Sequence, residues 1–335
     1  MRAGILFSFA AALLFCCCKP TAKQDIAFYY WKSTFSLKEP ELSALNENKC
    51  KTFYVKYFDV VKENGQIKPT ATISFNTVLP GQRIVPVVFI KNDVFKGIDS
   101  TETEKLARNI LSLIDQINFS NSIHVNELQW DCDWTESTKN QYFTFLKNIK
   151  KLFKDRISAT IRLHQIKYSH ITGVPPVDKG VLMYYNMSDI TSGSKNSIYD
   201  KSTANKYLNS LRSYPLQLDI ALPVFTWGIH SRNGKVVSLL NKLNETYFYN
   251  DSNFIKEGPY QFSLKHPCFK EGYYFQEGDN IKIESVKQED LLQMAEDIKP
   301  NLSSWPAEII FYDLDSLNLS RYEKTIFKEV LDKFQ

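Results

Sequence analysis

Eight runs rich in β-branched and aromatic residues punctuate this chain, and helical patterns fill most of the gaps between them. They fall at residues 26–31, 52–60, 84–90, 123–134, 157–165, 180–186, 216–225 and 307–315, the fourth with some loop at its start. Such alternation argues for parallel strands joined by crossover helices, and eight repeats argue for a closed (β/α)8 TIM barrel of the α/β class. An open doubly wound sheet is the competing architecture, but no glycine-rich first turn supports it. Between the third and fourth runs, Leu106, Ile110, Leu113 and Ile114 recur at helical spacing, with Thr101 and Glu104 placed as a capping box. Tyr142, Phe145, Leu146, Ile149 and Phe153 form a second stripe, and Tyr322, Ile326, Val330 and Phe334 a third. The fifth crossover is short and carries Pro175-Pro176, so its helix is expected to shrink to a turn. Residues 228–285, rich in Tyr, Phe and Asn, read as an insertion or lid after the seventh strand.

The N-terminus is an address. Arg2 precedes an apolar run from residue 5 to 15, too short to cross a bilayer, and Cys16, Cys17 and Cys18 follow at once. This resembles a bacterial lipoprotein signal, which implies residues 1–18 as signal peptide, Cys17 or Cys18 as the lipidated residue, and 19–25 as a tether. An ordinary cleaved signal peptide is the alternative. The barrel then occupies 26–335, and the expected location is the bacterial cell envelope, lipid-anchored, on a leaflet the basic tether does not identify. The other three of the six cysteines, Cys50, Cys132 and Cys268, cannot all pair among themselves. Cys50 and Cys132 read as buried thiols, and a disulfide through Cys268 stays open in an oxidising compartment.

Lys+Arg 41 against Asp+Glu 37 gives a net charge of only +4, without the basic face a nucleic-acid binder needs. The richest basic stretch, 147–154, sits on a helical pattern and reads as solvated surface. No phosphate-binding loop, nucleophile elbow or zinc motif occurs, so neither metal nor cofactor is expected. The polar residues that invite chemistry lie at strand ends, where barrel active sites gather. Period-two alternation puts Gln129, Asp131 and Asp133 on one face, successive members ~6.5 Å apart. Two carboxylates stacked inside a barrel repel, which raises at least one pKa and suits a general acid or an electrostatic stabiliser. Arg162 and His164 alternate on the fifth run and are expected at the mouth as substrate contacts. Asp219, Asp313 and Asp315 are further candidates on the last two strands. Lys56, inside an otherwise apolar run, reads as part of an interior ion pair. Trp31 and Trp227, near strand ends, offer flat faces for ligand stacking, whereas Trp130 and Trp134 have the opposite parity to the aspartates and read as core.

Asp131-Cys132-Asp133-Trp134 resembles the fourth-strand Asp-x-Asp-x-Glu motif of chitinase-like glycoside hydrolases of family 18. Met183-Tyr184-Tyr185-Asn186 is similar to that family's sixth-strand Met-x-Tyr-Asp segment, and Ala221-Leu222-Pro223-Val224-Phe225 resembles its seventh-strand Gly-x-Pro-Phe-Tyr. The resemblance implies that Asp133 orients a substrate acetamido group, that Tyr185 supports it, and that Asn186 contacts substrate. The family's catalytic Glu is replaced here by Thr135, with Glu136 next to it. Two expectations follow. The chain is a cell-envelope lipoprotein that hydrolyses a glycan through Asp131, Asp133 and a displaced acid, Glu136. Alternatively, it is a non-catalytic carbohydrate-binding barrel.

Overall fold

The computed structural model describes residues 24–77, 81–191, 195–241, 243 and 245–335. Cys16, Cys17, Cys18 and the tether up to Lys23 lie outside the described residues. Eight parallel strands close on themselves: β1 Asp25–Tyr30, β2 Thr52–Glu63, β3 Arg83–Ile90, β4 Glu127–Asp131, β5 Arg156–Arg162, β6 Lys179–Met183, β7 Leu218–Pro223 and β8 Glu308–Tyr312. Each pairs with the next in order, and β8 returns to β1, which leaves no free barrel edge. The α/β barrel expected from the alternation is therefore the fold.

Helices α1 Glu39–Glu47, α2 Ser100–Asn121, α3 Lys139–Leu152, α4 Lys201–Leu208, α5 Gln288–Ile298 and α6 Ile326–Phe334 surround it. Outward-facing aromatics anchor them. Trp130 of β4 meets Phe145 of α3 edge-on at 5.0 Å, and Phe28 and Phe311 close on Phe327 of α6 at 5.2 and 4.7 Å. Burying each such ring stabilises the fold by about 1.5–3 kcal/mol. Gly180 on β6 lets neighbouring strands approach, because a Cβ there would lie 2.8 Å from Leu218 and 3.0 Å from Ile161. The fifth crossover is reduced to two short helical turns, Leu163–Lys167 and Ser169–Thr172, ahead of Pro175. Between β2 and β3, β2 instead extends into an antiparallel hairpin with Gln66–Thr70.

The structure corrects three local expectations. The α2 cap is Asp99 with Glu102, two residues earlier than Thr101 and Glu104. Asp99 holds an extended backbone and accepts from the Glu102 N–H at 2.8 Å. The fourth strand ends at Asp131, because Trp134 turns away to stack on Tyr142 of α3 and donates to the Thr172 carbonyl at 2.9 Å. The fifth ends at Arg162, where the Gln165 side chain accepts the Arg162 N–H at 2.8 Å and opens a helical turn. His164 is consequently helical and exposed, outside the mouth.

Residues 226–285 carry an antiparallel five-stranded sheet, ordered Lys235–Asn241, Thr226–Arg232, Asn280–Ser285, Gln261–Leu264, Phe254–Gly258. It has a core of its own, including Leu240, Phe248, Phe262 and Ile283. Cys50, Cys132 and Cys268 are all free thiols, so Cys268 forms no disulfide here.

The barrel interior is polar along β4. At the floor, the Lys179 ammonium lies 2.8 Å from Asp219, 3.1 Å from Glu127 and 3.4 Å from Glu308. Arg83 reaches Glu308 at 2.7 Å, and the Tyr54 hydroxyl donates to the same carboxylate. Asp219 is thus a floor residue that also accepts the backbone N–H groups of Ala307 and Glu308, not a contact at the mouth. Burial works against the Lys179 charge, but the three carboxylates outweigh it and raise its pKa. Burial likewise pushes Glu308 up, yet Lys179, Tyr54 and Arg83 hold it below the ordinary carboxylate range. Lys179→Ala leaves three buried carboxylates without their shared cation and should cost about 3–5 kcal/mol near neutral pH. The depressed Glu308 pKa contributes stability above its unfolded value and loses it as pH falls. Denaturant melts should therefore show the gap between wild type and variant closing below about pH 4.

Candidate functional site

Side chains that leave the C-terminal ends of the strands line a cavity of about 420 Å³ at the barrel mouth. One wall is aromatic and continuous. Trp31 contacts Tyr312 at 5.4 Å, Tyr312 stacks on Tyr185 at 5.5 Å and 23°, Tyr185 meets Phe225 at 5.7 Å, and Phe225 meets Trp227 at 5.3 Å. Each ring belongs to the end of a different strand or to the first strand of the insertion. The closed barrel brings them into one row.

Charged and amide side chains share the lining with these rings. Asp131, Asp133, Arg162 and Asn186 line the cavity together with Lys56, Asp59, Asp313 and Asn241. Asp131 is the last residue of β4 and 5% exposed, and the Thr160 hydroxyl on β5 donates to it at 2.6 Å. Asp133 lies beyond the strand with its carboxylate half-exposed. Arg162 holds it through Nε at 2.7 Å and Nη2 at 3.3 Å. Burial, and next the charge of Asp133, push the Asp131 pKa up to about 6, against the opposing pull of Arg162 and Thr160. Lys56 pairs with Asp59 at 2.9 Å, so the interior ion pair lies at the mouth, and its ammonium sits 5.6 Å from the Trp31 ring. Asp313 accepts from Asn318 at 2.6 Å. Asp315 lies outside the cavity, capping a short helix at Ser316 and pairing with Lys32 at 3.0 Å.

The insertion closes one side. Trp227, Thr226 and Asn241 reach the cavity, and the Trp227 indole donates to Glu284 at 3.0 Å. Glu284 also accepts the Ser197 N–H at 3.0 Å and pairs with Lys282 at 2.7 Å, which fixes the sheet to the loop after β6.

Of the residues singled out in the sequence, Asp131, Asp133, Tyr185, Asn186, Arg162, Trp31 and Trp227 converge. Glu136 does not. It is exposed and stands outside the cavity lining, because the chain turns at Thr135, whose carbonyl accepts the N–H groups of Thr138 and Lys139 at the start of α3. Trp130 and Trp134 are fully buried. The lining also contains Asp59 and Tyr312, which no motif singles out although each sits near a strand end, and Phe225, the last residue of the seventh-strand motif.

Such a surface can stack pyranose rings and hydrogen-bond their hydroxyl and amide groups. The Asp131 carboxyl binds its proton more tightly in the folded chain than in the unfolded one, so this site lowers stability as pH rises from about 4 to 6, with no further loss above. Asp131→Asn keeps an acceptor for Thr160 and removes the charge. The variant should be more stable than wild type by about 2 kcal/mol at pH ~8, and the difference should vanish below pH ~4. Urea unfolding at the two pH values measures it.

No family model and no curated protein matches this sequence. Solved structures do resemble it in fold. The spore cortex-lytic enzyme SleL of Bacillus cereus is 13% identical with a TM-score of 0.54, covering 93% of this chain and 75% of its own. SleL of Bacillus megaterium is 12% identical with a TM-score of 0.55, covering 94% and 75%. A mutant GH18 chitinase of Cycas revoluta in complex with (GlcNAc)4 is 10% identical with a TM-score of 0.57, covering 93% and 100%. The likeness is one of architecture: the chain shares its α/β barrel fold with these proteins.

Proposed function

We propose that the barrel mouth binds a hexosamine oligosaccharide and holds it without cleaving it, on a protein anchored by an N-terminal lipid at Cys17 or Cys18 to the bacterial cell envelope. The observation that carries the binding reading is the row of five rings that lines one cavity together with carboxylate and amide groups. Apolar C–H faces of pyranose rings stack on the partly exposed Trp31, Trp227 and Tyr312, while the buried Tyr185 and Phe225 hold the row together. Asp133, Asn186 and Asn241 supply hydrogen bonds that fix register and orientation. The complex of a barrel of this fold with (GlcNAc)4 supports a hexosamine as the ligand.

Binding without cleavage is favoured by the acid. Thr135 stands where the resembling motif keeps its Glu, and Glu136 lies outside the cavity lining. A general acid must come within hydrogen-bond reach of the leaving oxygen. One observation favours a second reading, slow hydrolysis: Asp131, with its pKa raised to about 6, is a cavity carboxyl that carries a proton in mildly acidic solution.

Calorimetric titration with (GlcNAc)4 tests the first reading. Wild type should bind, Asp133→Asn should bind about tenfold more weakly through loss of a charged hydrogen-bond partner, and Glu136→Gln should bind as wild type. No new reducing ends should appear on prolonged incubation. Turnover that disappears in Asp131→Asn would establish the second reading instead. For the anchor, Cys16, Cys17 and Cys18 all replaced by Ser should move the protein from the membrane to the soluble fraction of cells. Persistent membrane association of that variant excludes lipidation there.

A further inference from the structure

We infer that the floor end of the barrel is a docking face for a bilayer containing anionic phospholipid, so that the barrel stands on the membrane with its mouth directed away from it. The inference rests on the lipid-anchor reading above and names the surface that meets the lipid.

The position of the anchor comes first. β1 begins at Asp25, whose backbone N–H donates to the Ala307 carbonyl at 3.0 Å, beside the start of β8. The chain thus enters the barrel at the floor, the end that holds Lys179, and not at the mouth. Six residues separate Cys18 from Asp25, and seven separate Cys17 from it. At full extension they span about 20–25 Å. The six residues of β1 alone rise about 20 Å. A path from floor to mouth must also pass around a helix layer about 10 Å thick. A lipid on either cysteine therefore keeps the floor at the bilayer and the mouth away from it.

The surface of that end suits the same partner. The floor rim is made of helix ends and loops that lead into the strands, and three large apolar side chains stand out from it. Phe119, in the last turn of α2, is 90% exposed; Trp305, ahead of β8, is 44% exposed; Leu152, the last residue of α3, is 37% exposed. Phe119 and Leu152 line one groove between α2 and α3. Basic side chains accompany them. Lys147, Lys150, Lys151, Lys154 and Arg156 run along the end of α3 into β5, with Asp155 and Asp178 beside them and Asp115 in the groove. Lys150 holds Asp178 at 2.5 Å, whereas Lys154 donates to the neutral Lys151 carbonyl at 2.7 Å. Near Trp305, the Lys299 ammonium sits 5.5 Å from the indole, and Arg212 donates to the Pro300 carbonyl at 2.6 Å. An exposed indole gains most at headgroup depth, and lysines on long stems reach anionic headgroups while their stems cover apolar surface.

The five tryptophans are placed so that fluorescence reads the orientation. Trp305 is on the floor rim, Trp31 and Trp227 are at the mouth, and Trp130 and Trp134 are fully buried. The full chain, purified from membranes with its lipid, is reconstituted into phosphatidylcholine vesicles containing phosphatidylglycerol, with brominated acyl chains as quencher. Emission should fall. Trp305→Phe should abolish that fall, and Trp31→Phe and Trp227→Phe should each retain it. Lys151→Gln together with Lys154→Gln should weaken docking of the anchored barrel roughly thirtyfold, read as recovered Trp305 emission, and about 0.5 M salt should weaken wild type likewise. Quenching that survives Trp305→Phe and disappears in Trp227→Phe puts the mouth on the bilayer and overturns the inference. Unquenched emission from protein that floats with the vesicles overturns it too, with the anchor reading intact. Equal quenching without phosphatidylglycerol overturns the anionic preference. If the protein does not float and mass spectrometry finds no acyl chain on Cys17 or Cys18, the anchor reading falls, and this inference with it.

Discussion

Lys179 is the interaction on which the barrel depends. A carboxylate inside a closed sheet is tolerable only when a cation and enough hydrogen-bond donors reach it. At the floor one ammonium serves Glu127 of β4, Asp219 of β7 and Glu308 of β8, so three strands converge on one charge. Arg83 and, at 3.8 Å, Arg156 complete the balance from the rim. Three acids meet three bases, and the floor is structural. The mouth is built from the same residue types with a different balance, four aspartates to two cations.

The two ends are joined by the pleat of β4. Alternate residues face inward, so Glu127, Gln129 and Asp131 form a polar ladder from floor to mouth. Its rungs are hydrogen bonds to neighbouring strands. Ser158 donates to Glu127 at 2.9 Å, Tyr29 to Gln129 at 2.6 Å, and Thr160 to Asp131 at 2.6 Å. The ladder holds the Asp131 carboxyl rigidly. The strand then ends, and Asp133 is positioned by Arg162 instead of by the sheet. One aspartate is fixed by fold geometry and the next by an ion pair near the surface.

Strand periodicity made much of this legible. The parity of Asp131 and Asp133 placed both at the mouth, and the opposite parity of Trp130 and Trp134 put those rings under the helices, where they are buried. Two placements failed for a shared physical reason: period two holds only while the chain is a strand. His164 lies past the end of β5, in a helical turn started by the Gln165 side chain, and Glu136 lies in the turn into α3. Asp219 is on a strand, but as the second residue of β7 it belongs to the floor; alternation gives the face and not the depth. Tyr312 and Asp59 sit near strand ends, yet nothing local separates them from core residues. Their role comes from closure of the sheet, which sets β8 beside β1 and brings Tyr312 against Trp31.

Barrel mouths accelerate reactions only through contacts that strengthen in the transition state. The groups retained here strengthen ground-state binding. Stacked rings contact a sugar equally before and after bond cleavage, and an aspartate clamped by two guanidinium contacts is a fixed acceptor. Proton donation to a leaving oxygen is the step such contacts cannot supply, and the motif position for that donor is occupied by Thr135. Its neighbour Glu136 is directed to solvent by the same turn that starts α3, so restoring the acid requires moving a helix start as well as finding a carboxyl. On the proposed reading, the turn into α3 is what separates a binding mouth from a hydrolytic one.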